Sequence, residues 1–179
     1  MLATMRKKAA VPLAEWGSTL PRVAAKVIAD ADVTQPHVYL RFSADPTNLG
    51  MARRDIGDWA HALNLGTNLT QDIVLALDEA ATNAVEHAYL GRSGPVTLFA
   101  GCDKSGHCAW TVVSDNGQWR TPRAGPSTRG RGLQLMAALA DECDVTSTVS
   151  GTTVVLGWPI EHIRPLGGDT GFRYAQKVS

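Results

Sequence analysis

Hydrophobic and polar residues follow two different periods along this chain, and these periods predict strands and helices. Short alternating runs predict strands at residues 37–42, 96–100, 108–113, 144–149 and 152–158. Apolar residues three and four positions apart predict helices at 47–63, 71–89 and 132–141. Neither of the later strand pairs has a helical crossover between its members, so we expect a mixed, largely antiparallel sheet. About three helices can cover one face of that sheet, which predicts an α/β two-layer sandwich.

The regular pattern does not extend to either end of the chain. Residues 1–36 are interrupted by Pro12, Pro21 and Pro36, with one short helix possible after Pro21, and we expect an N-terminal extension or linker there. Residues 37–160 form the expected domain. Residues 161–179 are polar and contain glycine, so we expect a C-terminal tail.

Composition excludes several classes of function. The 179 residues carry 17 Lys+Arg and 17 Asp+Glu, and this formal net charge of +0 does not favour direct nucleic-acid binding. No run of about 20 apolar residues predicts a membrane span, and the apolar segment after Lys8 is too short to predict a signal peptide. Three cysteines without a CxxC pair suit a reducing cytoplasm, where we expect the protein.

Three polar residues lie close together on the helix predicted over residues 71–89. Glu79, Asn83 and His87 are spaced four residues apart and span about 80° of the helix circumference. The amide oxygen of Asn83 is a neutral, hard ligand that suits Mg²⁺ carrying phosphate. The carboxylate of Glu79 could accept a proton from an attacking hydroxyl. An ordinary solvated helix face has the same pattern, so the spacing alone leaves both interpretations open.

Three further segments could contact a nucleotide, and each also has a purely structural explanation. Asp115 follows a strand and could accept a hydrogen bond from an exocyclic amine such as adenine N6, with Gly117 letting the base lie against the backbone. An Asn-Gly turn would look the same. Residues 130–133 lead into a helix N-terminus, which can bind phosphate or be a plain junction. Thr153 lies in a predicted strand, where threonine is common in any case.

The order of these segments is more specific than any one of them. A Glu/Asn helix, two strands, Asp-x-Gly, Gly-x-Gly before a helix and Gly-Thr-Thr in a strand resembles the GHKL ATPases, which include gyrase, chaperone, histidine kinase and mismatch-repair proteins. Residues 79–89 (EAATNAVEHAY) are similar to the N box of the bacterial anti-sigma-factor serine/threonine kinases, and Phe42-Ser43-Ala44 and Ala52-Arg53 match the opening of that family. The resemblance covers about residues 37–158 and implies the GHKL ATPase fold.

The resemblance implies a role for each candidate residue. Glu79 would be the general base, Asn83 the Mg²⁺ ligand, and His87 would border the nucleotide. Asp115 would hold the adenine amine and Gly117 would lie beneath the base. The phosphate lid would be lined by Gly130, Arg131, Gly132 and Leu133. Thr153 would reach the adenine site, and Arg53 would contact a sigma factor or an antagonist protein.

The implied protein is a homodimeric, ATP- and Mg²⁺-dependent serine/threonine kinase that sequesters a sigma factor and phosphorylates an antagonist protein. One position departs from the family, because Trp119 stands where the second glycine of Asp-x-Gly-x-Gly is usual. A non-catalytic docking module with weak or no ATP binding is therefore an alternative. A third interpretation, the catalytic domain of a sensor histidine kinase, needs a phosphoacceptor histidine on a long upstream helix, and the only candidate is His37 beside Pro36.

Overall fold

The computed structural model describes residues 13–89, 91–118 and 131–161. The helices in these ranges are α1 (Leu13–Ser18), α2 (Arg22–Asp30), α3 (Leu49–Ala62), α4 (Thr67–His87) and α5 (Arg131–Leu139). The strands are β1 (Val38–Ser43), β2 (Pro95–Cys102), β3 (Cys108–Asp115), β4 (Glu142–Thr148) and β5 (Gly151–Pro159). No helix among these is both long and apolar enough to pass through a lipid bilayer.

The strands form one sheet in the order β1-β2-β3-β5-β4. Within the described ranges every neighbouring pair is antiparallel, which confirms the predicted largely antiparallel sheet. The β4–β5 hairpin turns one residue earlier than its sequence suggests. Gly151, expected in the turn, already pairs with Thr148 and has a φ of 140°, a backbone conformation that favours glycine.

The main core lies between one face of the sheet and α3, α4 and α5. Helix α4 contacts both of the other helices as well as the sheet, and the apolar stripe predicted from its sequence is buried along its whole length (Ile73, Leu77, Ala80, Ala84 and Ala88). The opposing strands contribute Phe42, Leu98 and Leu156 to the same core. Burial of one such large side chain stabilises a fold by about 1.5–3 kcal/mol, so this core contributes much of the energy that holds α4 on the sheet.

The second face of the sheet carries α1 and α2. Trp16, Ala24 and Ile28 pack against Phe99 and Val112, forming a smaller core separate from the first. Two hydrogen bonds hold residues 32–36, which follow α2. The Asp32 amide donates to the Cys102 carbonyl at 2.8 Å, and the Trp59 indole donates to the Pro36 carbonyl at 2.9 Å. The described part of the expected extension or linker therefore adds a partial third layer to the predicted sandwich.

Candidate functional site

The N-terminus of α5 lies against the middle of α4. A Cβ atom added to Gly132 would be 3.0 Å from Glu79 Oε2 and 3.3 Å from Asn83 Nδ2, closer than side chains normally pack. Glycine at this position is what allows the α5 backbone to approach both side chains. Three predicted site residues, Glu79, Asn83 and Gly132, thus come together, and Glu79 and Asn83 are both partly exposed.

This junction has the chemistry of a phosphate and cation site. Backbone N–H groups at a helix N-terminus attract anions, and Arg131 in the first turn of α5 adds a positive charge. A neutral amide oxygen beside a carboxylate suits Mg²⁺, which takes few protein ligands and completes its shell with phosphate oxygens and water. The residues present therefore fit a magnesium-bound polyphosphate, with Asn83 as the candidate protein ligand.

Asp115 occupies a second, more deeply buried part of the site. Its side chain is only 3% exposed, and Oδ1 accepts hydrogen bonds from the Gly117 amide at 2.9 Å and from the Thr152 amide at 3.3 Å. Gly117 lies directly against the Ala88 carbonyl at the end of α4. A buried carboxylate held in this way is a fixed acceptor for an exocyclic amine.

Strand β5 presents its two threonines to opposite faces of the sheet. Thr152 shares the face of Val154 and Leu156, which belong to the main core below α4, whereas Thr153 shares the face of Val155 below α1 and α2. Thr153 pairs with Ser114, and Thr152 is the residue beside Asp115. The structure therefore does not bring Thr153 to the predicted adenine site; Thr152 occupies that place.

The remaining predicted residues lie around this centre. His87, in the last turn of α4, is partly exposed and has its Nε2 3.9 Å from Glu86 Oε2. Leu133 is exposed on α5. Gly130, like Trp119, lies outside the described residues.

Arg53 has a partner within its own chain. Its Nε lies 2.9 Å from Asp78 Oδ1 without hydrogen-bond geometry, so the contact is an ion pair that joins α3 to α4. Partial burial raises the pKa of Asp78, and the neighbouring guanidinium opposes that shift. The Arg53 side chain is still 51% exposed, so it can also contact a second protein.

Sequence reasoning missed three residues of this region: Asp78, Tyr89 and Thr152. Period-two alternation, counted outward from Asp115 through the pairing of β3 with β5, would have placed Thr152 on the correct face. No sequence signal marks the Arg53–Asp78 pair or the contacts of Tyr89, because both depend on how separate elements pack.

Comparison with known proteins identifies the family. The model of the histidine kinase-like ATPase domain matches residues 42–158, so the chain belongs to that family. It is 29% identical over 136 residues to the serine-protein kinase RsbW of Bacillus velezensis, covering 67% of this chain and 83% of the relative, and 28% identical over 139 residues to that of Bacillus pumilus, covering 66% and 83%. The predicted resemblance to anti-sigma-factor kinases is thereby confirmed.

A solved structure shows the same architecture. The RsbU and RsbW domains of a Mycobacterium tuberculosis protein superpose with a TM-score of 0.57 at 26% identity, covering 69% of this chain and 32% of the other. The match therefore spans about a third of the length of that solved chain. The match confirms the predicted GHKL ATPase fold.

Proposed function

We propose that this chain is an ATP-dependent serine/threonine protein kinase and anti-sigma factor, which sequesters a sigma factor and phosphorylates an antagonist protein. The observation that carries the proposal is the approach of Gly132 to both Glu79 and Asn83. It unites a candidate base, a candidate metal ligand and an anion-binding helix N-terminus. The likeness to serine-protein kinases named RsbW supports a protein hydroxyl as the acceptor.

In the proposed reaction the two parts of the site bind the two ends of ATP. Asp115 accepts a hydrogen bond from the adenine amine, and the α5 N-terminus binds the phosphates. Mg²⁺ held by Asn83 would supply neutralisation of phosphate charge. Glu79 accepts the proton of the serine or threonine hydroxyl while the oxygen of that hydroxyl attacks the γ-phosphorus of ATP. The bond between the γ-phosphorus and the bridging oxygen breaks, and that oxygen leaves with ADP.

The experiment that tests this proposal is a titration with ATP, with and without Mg²⁺. Asn83→Ala removes the proposed ligand, and Asn68→Ala is a matched control because Asn68 is exposed on the same helix. We expect the magnesium-dependent part of the ATP affinity to fall at least tenfold in Asn83→Ala and to stay at the parental value in Asn68→Ala. Parental Mg-ATP binding by Asn83→Ala would refute the proposed site.

The docking module remains the second candidate because of Trp119, which replaces a glycine of the family motif. A docking module would act by binding alone, so its sigma-factor affinity would not depend on any nucleotide. Tight sigma-factor binding by a parent protein that binds no Mg-ATP would favour this candidate over the kinase.

A further inference from the structure

We infer that Tyr89 is a positioning residue that fixes the adenine end of the site relative to the phosphate end. This inference rests on the proposed nucleotide binding. The adenine end is formed by residues 115–117, which we call the Asp115 turn, whereas the phosphate end includes Glu79 and Asn83 on α4. Tyr89 lies two residues beyond the end of α4 and contacts the Asp115 turn directly.

The phenol of Tyr89 joins three segments through one oxygen atom. Its Oη accepts a hydrogen bond from the Asn116 amide at 2.8 Å and donates one to the Pro95 carbonyl at 2.6 Å. Asn116 directly follows Asp115, and Pro95 begins β2. Partial burial and the nearby Asp115 charge raise the pKa of the phenol, although the Asn116 amide and Arg41 oppose this, so the donated proton is retained at neutral pH.

Ala88, the residue before Tyr89, provides a second attachment between the end of α4 and the Asp115 turn. The Gln118 amide donates to the Ala88 carbonyl at 2.9 Å, and the Gly117 backbone packs on the same carbonyl. Residues 88 and 89 therefore contact the Asp115 turn at Asn116 and Gly117 and bind the residue that follows it. Because Glu79 and Asn83 belong to the helix that ends at this point, one short segment determines the separation between the proposed base and metal ligand and the proposed adenine acceptor.

The Tyr89 ring packs against a glycine that leaves room for it. The backbone of Gly94 lies against it, and a Cβ atom at that position would overlap the ring. The Gly94 carbonyl accepts a hydrogen bond from the Ala44 amide at 2.8 Å, which connects Gly94 to the residue that follows β1. Gly94→Ala is thus a second variant, which keeps the phenol but displaces it.

The test compares Tyr89→Phe with the control variant Tyr39→Phe. Tyr39 lies on the second face of the sheet beside Trp16. We expect the Kd for ATP to rise roughly tenfold in Tyr89→Phe, as for a lost hydrogen bond that leaves a partner unpaired. The preference for ATP over GTP should fall with it, while the affinity for magnesium tripolyphosphate, which lacks the base, should not change. Gly94→Ala should give the same selective loss, and Tyr39→Phe should match the parent.

Hydrogen exchange of the Asn116 amide tests the tether without nucleotide. We expect at least tenfold faster exchange in Tyr89→Phe than in the parent. Unchanged exchange, or an equal loss of ATP and tripolyphosphate affinity, would overturn the positioning role alone. A parent that binds no ATP would overturn the proposed function and this role together.

Discussion

At the scale of single residues, Asp115 shows how a buried carboxylate becomes useful. Its Oδ1 accepts hydrogen bonds from two backbone amides, which offset part of the cost of burying the side chain. The same amides prevent the side chain from turning away from a ligand. Its proposed role in selectivity therefore depends on its being an acceptor and not on its size.

Asp115→Asn should change which base the site prefers. The amide keeps the shape of the side chain but can place an NH₂ group against the adenine amine, where two donors repel. We expect the ratio of ATP to GTP affinity to fall by roughly tenfold or more. Asp58→Asn, an exposed position on α3, is the control. Competition binding measures the ratio, and an unchanged value would rule out the proposed base contact.

Arg53 should matter to a partner protein as well as to stability. Removal of the Arg53 guanidinium leaves the buried Asp78 Oδ1 without its charged partner, which should cost about 1–3 kcal/mol of unfolding free energy. We therefore expect Arg53→Ala to remain folded in buffer, with a lower denaturation midpoint, and to bind the sigma factor or antagonist protein more weakly. Arg54→Ala, its exposed neighbour on α3, should bind like the parent. Pull-downs in which both variants retain parental binding would contradict the interface assignment.

At the scale of elements, α4 was predictable and the faces of β5 were not. The stripe on α4 is helical in period and packs on one side, so the pattern identified both the helix and the side carrying Glu79 and Asn83. The Thr-Thr-Val-Val run of β5 is buried on both faces, because helices cover both sides of the sheet. Alternation between apolar and polar residues disappears when both faces are buried, so the pattern within β5 alone could not decide between Thr152 and Thr153, and only the register with β3 does so.

The two threonines of β5 give a direct test of this strand geometry. Thr152→Val keeps the backbone amide that donates to Asp115 but removes a hydroxyl on the same face, whose oxygen lies 3.1 Å from Ser147 Oγ. Thr153→Val removes a hydroxyl on the other face. We expect the first variant to weaken ATP binding by roughly threefold to tenfold, the worth of one hydrogen bond, and the second to leave it unchanged. Calorimetric titration of both variants is sufficient. A greater loss of ATP affinity in Thr153→Val than in Thr152→Val would contradict the assignment of the two threonines to their faces of the sheet.

Helix α2 should stabilise the domain without contributing to the site. Ile28 is buried against the second sheet face, so Ile28→Ala should lower the unfolding free energy by about 2–5 kcal/mol. Val33→Ala, at an exposed position, should have little effect. Both variants should bind ATP like the parent at temperatures where they remain folded. Denaturation curves that coincide with the parent for Ile28→Ala would refute the packing of α2 on the sheet.

At the scale of the whole molecule, the sheet separates two kinds of packing. The face below α4 carries the candidate site, and the face below α1 and α2 carries a second, smaller hydrophobic core. The sequence predicted the sheet, the three helices of the first face and the short helix after Pro21. It could not predict where that short helix packs, because the pattern of a single amphipathic helix shows that one side is buried but not which surface buries it.

The proposed role of Glu79 as the base in phosphoryl transfer requires its carboxylate, so removal of that charge should slow transfer without weakening ATP binding. Transfer of labelled γ-phosphate from ATP to the antagonist protein is measured for the parent, for Glu79→Gln and for Glu86→Gln, an exposed glutamate on the same helix. We expect a fall of roughly 10²–10⁴-fold in Glu79→Gln with similar ATP affinity, and parental rates in Glu86→Gln. Parental transfer by Glu79→Gln would contradict this role.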